Sequence, residues 1–196
     1  MYFDTVKRSY EDVFIDPEKG ISTIQFSEAT EGLVLLFDLL ESSAFSIVQN
    51  DMNGNLKKIQ TKYLTDTEAN DTLEHLVINE QGQKKREATE GLLWLKRGLE
   101  FTAVALRRSI ENPDEELSIS FTEAYKITLK KFHGMLIRPV FILAMKACPY
   151  RADFYKKLGE DQELVQQKLA AWLTALEAVV ARLNSFYEAG GHDKGF

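Results

Sequence analysis

Apolar residues recur at intervals of three, four and seven along most of the chain, and no stretch alternates apolar with polar for the length of a strand. The pattern predicts helices throughout. Tyr2, Phe3, Val6, Tyr10, Val13 and Phe14 have near-helical spacing and read as one short helix over 2–14, broken by Asp16-Pro17 and Gly20. Ser27 is placed to cap a helix through Ala29, Leu33, Leu36, Phe37 and Leu40, with Ser42-Ser43 as the corner after it. The next stretch, Phe45 to Ile59, carries Phe45, Val48, Met52 and Ile59 on one stripe. Thr65 with Glu68 has capping-box spacing and predicts the start of a helix through Leu73, Leu76 and Val77. After a polar loop over 79–86, a long helix is predicted from about 88 to 110, ended by Asn112-Pro113. Ser120 with Glu123 reads as a second capping box, with the helical pattern running on to His133. Residues 134–147 are apolar on nearly all sides with Pro139 inside, which predicts a kinked helix, buried on most faces or lining a cavity. A last helix is expected from about Asp161 to Tyr187, followed by a Gly-rich tail whose terminal Phe196 can fold back. That is more helix than a four-helix bundle needs, and several segments are apolar over a wide arc. The expectation is a single all-α domain over 1–196, built as two packed layers with room for a ligand between them.

One polar feature stands out against this background. Asp51, Asn55 and Lys58 lie at i, i+4 and i+7, so they share a helix face within roughly 60°. An acid, an amide and an ammonium in one row suit a ligand with several hydroxyls or an amide. The row also fits a plain solvated face, and spacing alone leaves both readings open. In the long helix, Trp94 and Arg97 sit one turn apart, and Gly91 and Gly98 would allow a neighbouring helix to come close.

Charge narrows the partner. A net charge of −6 speaks against nucleic acid, which needs a basic surface. Residues 130–157 nevertheless carry +6 against −12 for the rest of the chain. Such a patch fits docking to an anionic membrane leaflet, or lysines that merely solvate helix ends. A lone cysteine, Cys148, suits a reducing compartment, and the first residues lack a basic-then-apolar leader, so a cytosolic place is expected. No apolar run is long enough to span a bilayer.

Enzyme chemistry is not indicated. The three histidines are scattered, without the spacing of a metal site, and no cofactor motif is present. The segment starting at Asp51 opens like a calcium loop, but Leu56 stands where glycine is required and Lys62 where glutamate is. Cys148 lies in apolar surroundings and reads as a packed residue rather than a nucleophile.

Three segments together, DMNGNLKKI at 51–59, LLWLKRGLEF at 92–101, and KKFHG with ACPYRADFYKKL at 130–158, resemble the glycolipid transfer protein family. The resemblance implies a two-layer helical sandwich enclosing an apolar pocket for ceramide chains, with a sugar site at its mouth. It implies that Asp51 accepts from the ceramide amide and a sugar hydroxyl, and that Asn55 and Lys58 bind further hydroxyls. Trp94 would be the plate on which the sugar stacks, and His133 would donate to the amide carbonyl. The pocket wall would include Phe37, Leu40, Phe45, Val48, Phe101, Phe141 and Phe154. The branch of the family that carries ceramide-1-phosphate places arginine at the Trp94 position, so the tryptophan implies a neutral sugar, as in glucosylceramide or galactosylceramide. Arg97 is expected to orient Asp51 or to form a structural ion pair.

Departures from the family pattern shape the docking expectation. Met135 stands where well-known members have an inserting tryptophan, and Lys146 where another interfacial aromatic is found. Membrane docking through Met135, Arg138, Lys146 and Tyr150 would then lean more on charge than on aromatic insertion. The expected function is a monomeric cytosolic carrier that moves a glycosphingolipid between membranes. A glycolipid sensor acting through a protein partner, and a ceramide-1-phosphate carrier, stay open beside it.

Overall fold

The computed structural model describes residues 1–196, and the chain is all-α apart from one minimal hairpin. Eight helices follow in order: α1 (Thr23–Leu36), α2 (Ser46–Thr65), α3 (Leu73–Ile78), α4 (Glu87–Glu111), α5 (Leu117–Ile127), α6 (Arg138–Lys146), α7 (Arg151–Leu158) and α8 (Gln162–Gly190). Helix α4 is the centrepiece: α2, α5 and α8 all pack against it, while α1 lies on α2, α6 on α5 and α7 on α8. One continuous apolar core results, in which Phe26, Phe45, Phe101, Phe121 and Trp172 are fully buried.

Several sequence expectations need correcting, each for a local reason. Residues 2–14 form two separate 3-10 turns, Tyr2–Asp4 and Tyr10–Asp12, not one helix. Each is pinned to α1 by a phenol: Tyr2 Oη donates to the Gly32 carbonyl at 2.6 Å, and Tyr10 Oη lies 2.9 Å from Thr30 Oγ1. The breakers Asp16-Pro17 and Gly20 close a two-residue hairpin, β1 (Ile15–Asp16) against β2 (Gly20–Ile21), with Gly20 at φ +119°. Buried Glu74 receives the Ile21 amide at 2.8 Å and Arg182 Nε at 2.7 Å, so this hairpin is tied to both α3 and α8.

Ser27 is interior to α1, donating to the Thr23 carbonyl at 2.8 Å, and the helix begins five residues earlier than expected, with Ser22 at its N-cap position. Its far end tightens into a 3-10 turn, Phe37–Leu40, stopped by Glu41 at φ 47°. Thr65 closes α2 instead of opening α3; the true cap of α3 is Thr72, which accepts from the His75 amide. Ser120 lies within α5 and donates to Glu115 at 2.8 Å. Helix α5 also stops at Ile127, well short of His133, which leaves His133 on the connection to α6. A hidden acid starts α4: buried Glu80 accepts from the Ala88 and Thr89 amides at 3.2 and 2.7 Å, satisfying donors that the helix itself cannot.

The largest departure is at 134–147. Pro139 sits in the first turn of α6, where a missing N–H costs nothing, so it starts the helix and does not kink it. Only Phe141, Ala144 and Met145 of α6 are buried. Ile142 and Leu143 face solvent, and the preceding Met135 and Leu136 are 84% and 89% exposed. Helix α7 was not expected, since no element was assigned to residues 151–158 from the sequence; Phe154, Tyr155 and Leu158 bury its apolar face. At the other end, Phe196 does fold back, with the Arg86 guanidinium 4.4 Å above its ring.

Candidate functional site

The polar row on α2 meets a matching row on α4. Glu90, Trp94 and Arg97 stand at i, i+4 and i+7 of α4, the spacing of Asp51, Asn55 and Lys58 on α2. The helices come close at Gly91, where a Cβ would sit 3.0 Å from the Asn55 carbonyl and 3.1 Å from Lys58 Cβ. That close approach was legible in the sequence. Gly98 is less constrained, since a Cβ there would make ordinary contact with Met52 at 3.8 Å.

Within the α2 row, Asn55 is buried and donates from Nδ2 to Asp51 Oδ2 at 3.3 Å. Asp51 itself reaches solvent. Partial desolvation nevertheless raises its pKa, opposed by the Lys58 charge and the Asn55 bond. A carboxylate held this way has acceptor capacity to spare. Lys58 reaches across to α4, its Nζ 3.3 Å from Glu90 Oε2.

His133, from the connection after α5, lies nearly parallel to Trp94, with 22° between ring planes and 6.3 Å between centroids. Phe141 on α6 packs against the imidazole at 4.4 Å, and Tyr125 Oη lies 3.2 Å from His133 Nδ1. With the phenol as donor, the ring proton stays on Nε2, free to be donated. Burial, then the nearby Arg138 charge, lowers the His133 pKa and keeps the ring neutral. Arg138 is half-buried and bonds from Nε to the His133 carbonyl at 2.8 Å, so it fixes the site's connecting segment.

Arg97 does neither of the things expected of it. Its guanidinium lies 3.7 Å from the Phe132 ring and 4.7 Å from the Trp94 ring, it forms no ion pair, and Asp51 is not among its partners. It braces the tryptophan by cation–π contact. Phe132, Tyr125 and Glu90 are the members of this site that sequence reasoning missed. Glu90 was findable from its helical spacing to Trp94; the other two needed the fold.

The seven candidates for the chain-binding wall are all buried in the one core. Phe37 touches Phe45 at 5.9 Å, and Phe45 and Phe101 both pack on Phe121, at 6.2 and 5.7 Å. Phe141, which belongs to the same core, lies against His133 at 4.4 Å and stacks on Tyr125 at 5.4 Å. Of the docking candidates, Met135 and Tyr150 are exposed, as is Lys146 at the end of α6. Cys148 is half-buried, and burial pushes its thiol up to about 12, which leaves it unreactive at neutral pH.

The imidazole makes stability pH-dependent. An unfolded histidine titrates near 6.5. Below that, the unfolded chain takes up a proton that folded His133 resists, so stability falls as pH drops from about 6.5 toward the lower folded pKa. His192, shifted the same way by burial and Arg86, adds to the slope. Urea unfolding between pH 7 and 5 should therefore fall less steeply in His133→Gln than in the parent, without becoming flat.

A helical protein with an aromatic plate, a polyfunctional polar row and an apolar core directly beneath is of the lipid-binding class. The comparisons make this specific. A family model described as glycolipid transfer protein (GLTP) matches residues 21–160. A glycolipid transfer protein of Aureobasidium melanogenum is 51% identical over 94% of this chain and 92% of its own length. The chain belongs to the glycolipid transfer protein family. Among solved structures, the fungal glycolipid transfer protein HET-C2 superposes with a TM-score of 0.92 at 47% identity, covering 96% of this chain and 97% of that one. A solved structure of FAPP2, described as selecting simple glycosphingolipids using the GLTP-fold, superposes with a TM-score of 0.86 at 33% identity, covering 97% of this chain and 96% of that one.

Proposed function

We propose that this protein is a monomeric carrier that takes a glycosphingolipid with a neutral sugar, such as glucosylceramide or galactosylceramide, from the cytosolic face of one membrane and releases it at another. The observation that carries this reading is the convergence of Asp51, Asn55 and Lys58 with Trp94 and His133 over the apolar core. Asp51 accepts from the ceramide amide N–H and a sugar hydroxyl; Asn55 and Lys58 donate to further hydroxyls. The pyranose stacks its C–H face on Trp94, which Arg97 and Phe132 hold in place. His133 donates from Nε2 to the amide carbonyl, so the amide is gripped from two sides.

Energetics explain why a carrier is needed and why no covalent step is. Drawing about 30 methylenes through water costs roughly 25 kcal/mol at ~0.8 kcal/mol each. A core that parts to receive the chains removes most of that cost. The aromatic row from Phe37 to Phe101 is closed, so uptake requires side chains to shift, and Phe141 beside His133 is placed to respond when the head group binds. The exposed apolar surface of Met135, Leu136 and Leu143, with Lys146 beside it on α6, is the docking face.

Vesicle-to-vesicle transfer of fluorescent glucosylceramide, galactosylceramide and ceramide-1-phosphate tests the proposal. Both sugar lipids should move at least about tenfold faster than the phosphate lipid, whose head group would find Lys58 already paired. Transfer of the phosphate lipid alone would overturn the sugar assignment. Tight binding without transfer would point to a sensor.

A further inference from the structure

We infer that the cavity between α4 and the C-terminal end of α8 is a binding site for a small phosphate monoester that also carries hydroxyls, such as a sugar phosphate. None of Asp51, Asn55, Lys58, Trp94 or His133 lines it, and the inference does not depend on the glycosphingolipid reading.

The end of the chain builds the cavity. Gly191, at φ 58°, ends α8 and turns the last residues back toward the start of α4. Buried His192 and a bond from Arg86 to the Lys194 carbonyl at 2.7 Å fix that return. The space left between is about 560 Å³, far more than one water needs and within the range of small-molecule sites. Its walls are polar: α4 supplies Lys96 and Arg97, α8 supplies Asn184, and Lys131 and Lys194 stand exposed at the rim.

Charge identifies the occupant. Lys96 is 8% exposed, yet its ammonium makes one hydrogen bond, to Asn184 Oδ1 at 2.7 Å. Arg97 Nε is buried with no partner. The partner of Lys96 is a neutral amide and Arg97 rests on aromatic rings, so no carboxylate neutralises either by contact. Burial lowers the pKa of both, and Asp193 acts on them only through space. Burying a charge without a counter-ion is costly, so two such cations side by side mark the place of an anion. A guanidinium and an ammonium, with two lysines at the rim, suit the several oxygens of a phosphate dianion. Acids share that rim, since Glu188 and Asp193 are exposed there. They repel a sulfate, which has nothing to donate, but accept from hydroxyls, so a phosphorylated polyol fits both halves of the wall. The docking residues Met135, Leu136, Leu143 and Lys146 do not line the cavity, which favours a soluble ligand.

Calorimetric titration with glucose 6-phosphate, sulfate and glucose at matched ionic strength tests this in the parent, Lys96→Met and Lys131→Gln. Glucose 6-phosphate should bind the parent with a Kd of about 1 mM or tighter, at least about tenfold ahead of sulfate and of glucose. Lys96→Met should weaken that binding at least about tenfold, and Lys131→Gln, an exposed change, about threefold. No saturable binding of glucose 6-phosphate, or equal binding of sulfate, would overturn the inference, as would full affinity in both variants. If urea titration shows that Lys96→Met does not fold, Lys131→Gln alone decides. Attachment to phosphatidic acid vesicles that Lys131→Gln weakens, without binding of glucose 6-phosphate, would place the phosphate on a lipid and overturn the soluble ligand.

Discussion

Asp51→Val is expected to lower galactosylceramide transfer at least about 100-fold while leaving the unfolding midpoint unchanged. The carboxylate is assigned two bonds, from the ceramide amide and from a sugar hydroxyl. A hydrogen bond to a charged group contributes ~1.5–3 kcal/mol, so losing two exceeds the ~2.7 kcal/mol that corresponds to 100-fold. The fold should not suffer. Asp51 is on an open face, its one hydrogen-bonded partner is Asn55, and desolvation already disfavours its charged form. Valine removes that penalty, although Asn55, which is buried, loses one acceptor. Transfer assays with matched urea titrations separate the two effects. Undiminished transfer would remove Asp51 from the site, whereas equal losses of transfer and stability would make its role structural.

The α2 row was legible in the sequence because it is local: three residues on one helix need only the 3.6-residue period to be placed together. Trp94 and His133 became legible as partners through the family resemblance, and the fold brings their rings parallel. What a linear pattern could not give were features decided by a second segment. Thr65–Glu68 and Ser120–Glu123 have capping-box spacing, but Thr65 already ends α2, and Ser120 is engaged by Glu115 inside α5. Glu80 caps α4 from across a loop of polar residues, where its sequence position carries no such signal. Glu90 pairs with Lys58 only because Gly91 lets α2 approach. Residues 134–147 misled for a further reason. A segment apolar all round is read as buried, yet α6 buries Phe141, Ala144 and Met145 and turns Ile142 and Leu143 outward. Hydrophobicity reports that a surface avoids water; whether protein or bilayer covers it is outside what the pattern encodes.

That outward face yields the second large effect. Replacing both Leu136 and Leu143 with Asp should reduce partition onto anionic vesicles, and with it transfer, by at least about 30-fold. Leu136 and Leu143 are 89% and 65% exposed, so neither supports the core, and the double variant should fold as the parent does. Full burial of one leucine is worth about 1.5–3 kcal/mol; insertion of two to half that extent gives roughly 1.5–3 kcal/mol, before the repulsion between two new acids and an anionic leaflet is counted. The decisive control is binding of a short-chain, water-soluble galactosylceramide, read through Trp94 fluorescence, because it bypasses the bilayer. Docking residues should leave it unaltered, whereas Asp51→Val should abolish it. Salt provides an independent axis. If attachment rested on the basic segment alone, the parent would leave vesicles as ionic strength rises and the double variant would differ only through its two new charges. If Leu136 and Leu143 insert, the parent should retain part of its binding at high salt and the variant should not. Parent binding that vanished completely at high salt would return the docking role to Lys146 and its basic neighbours.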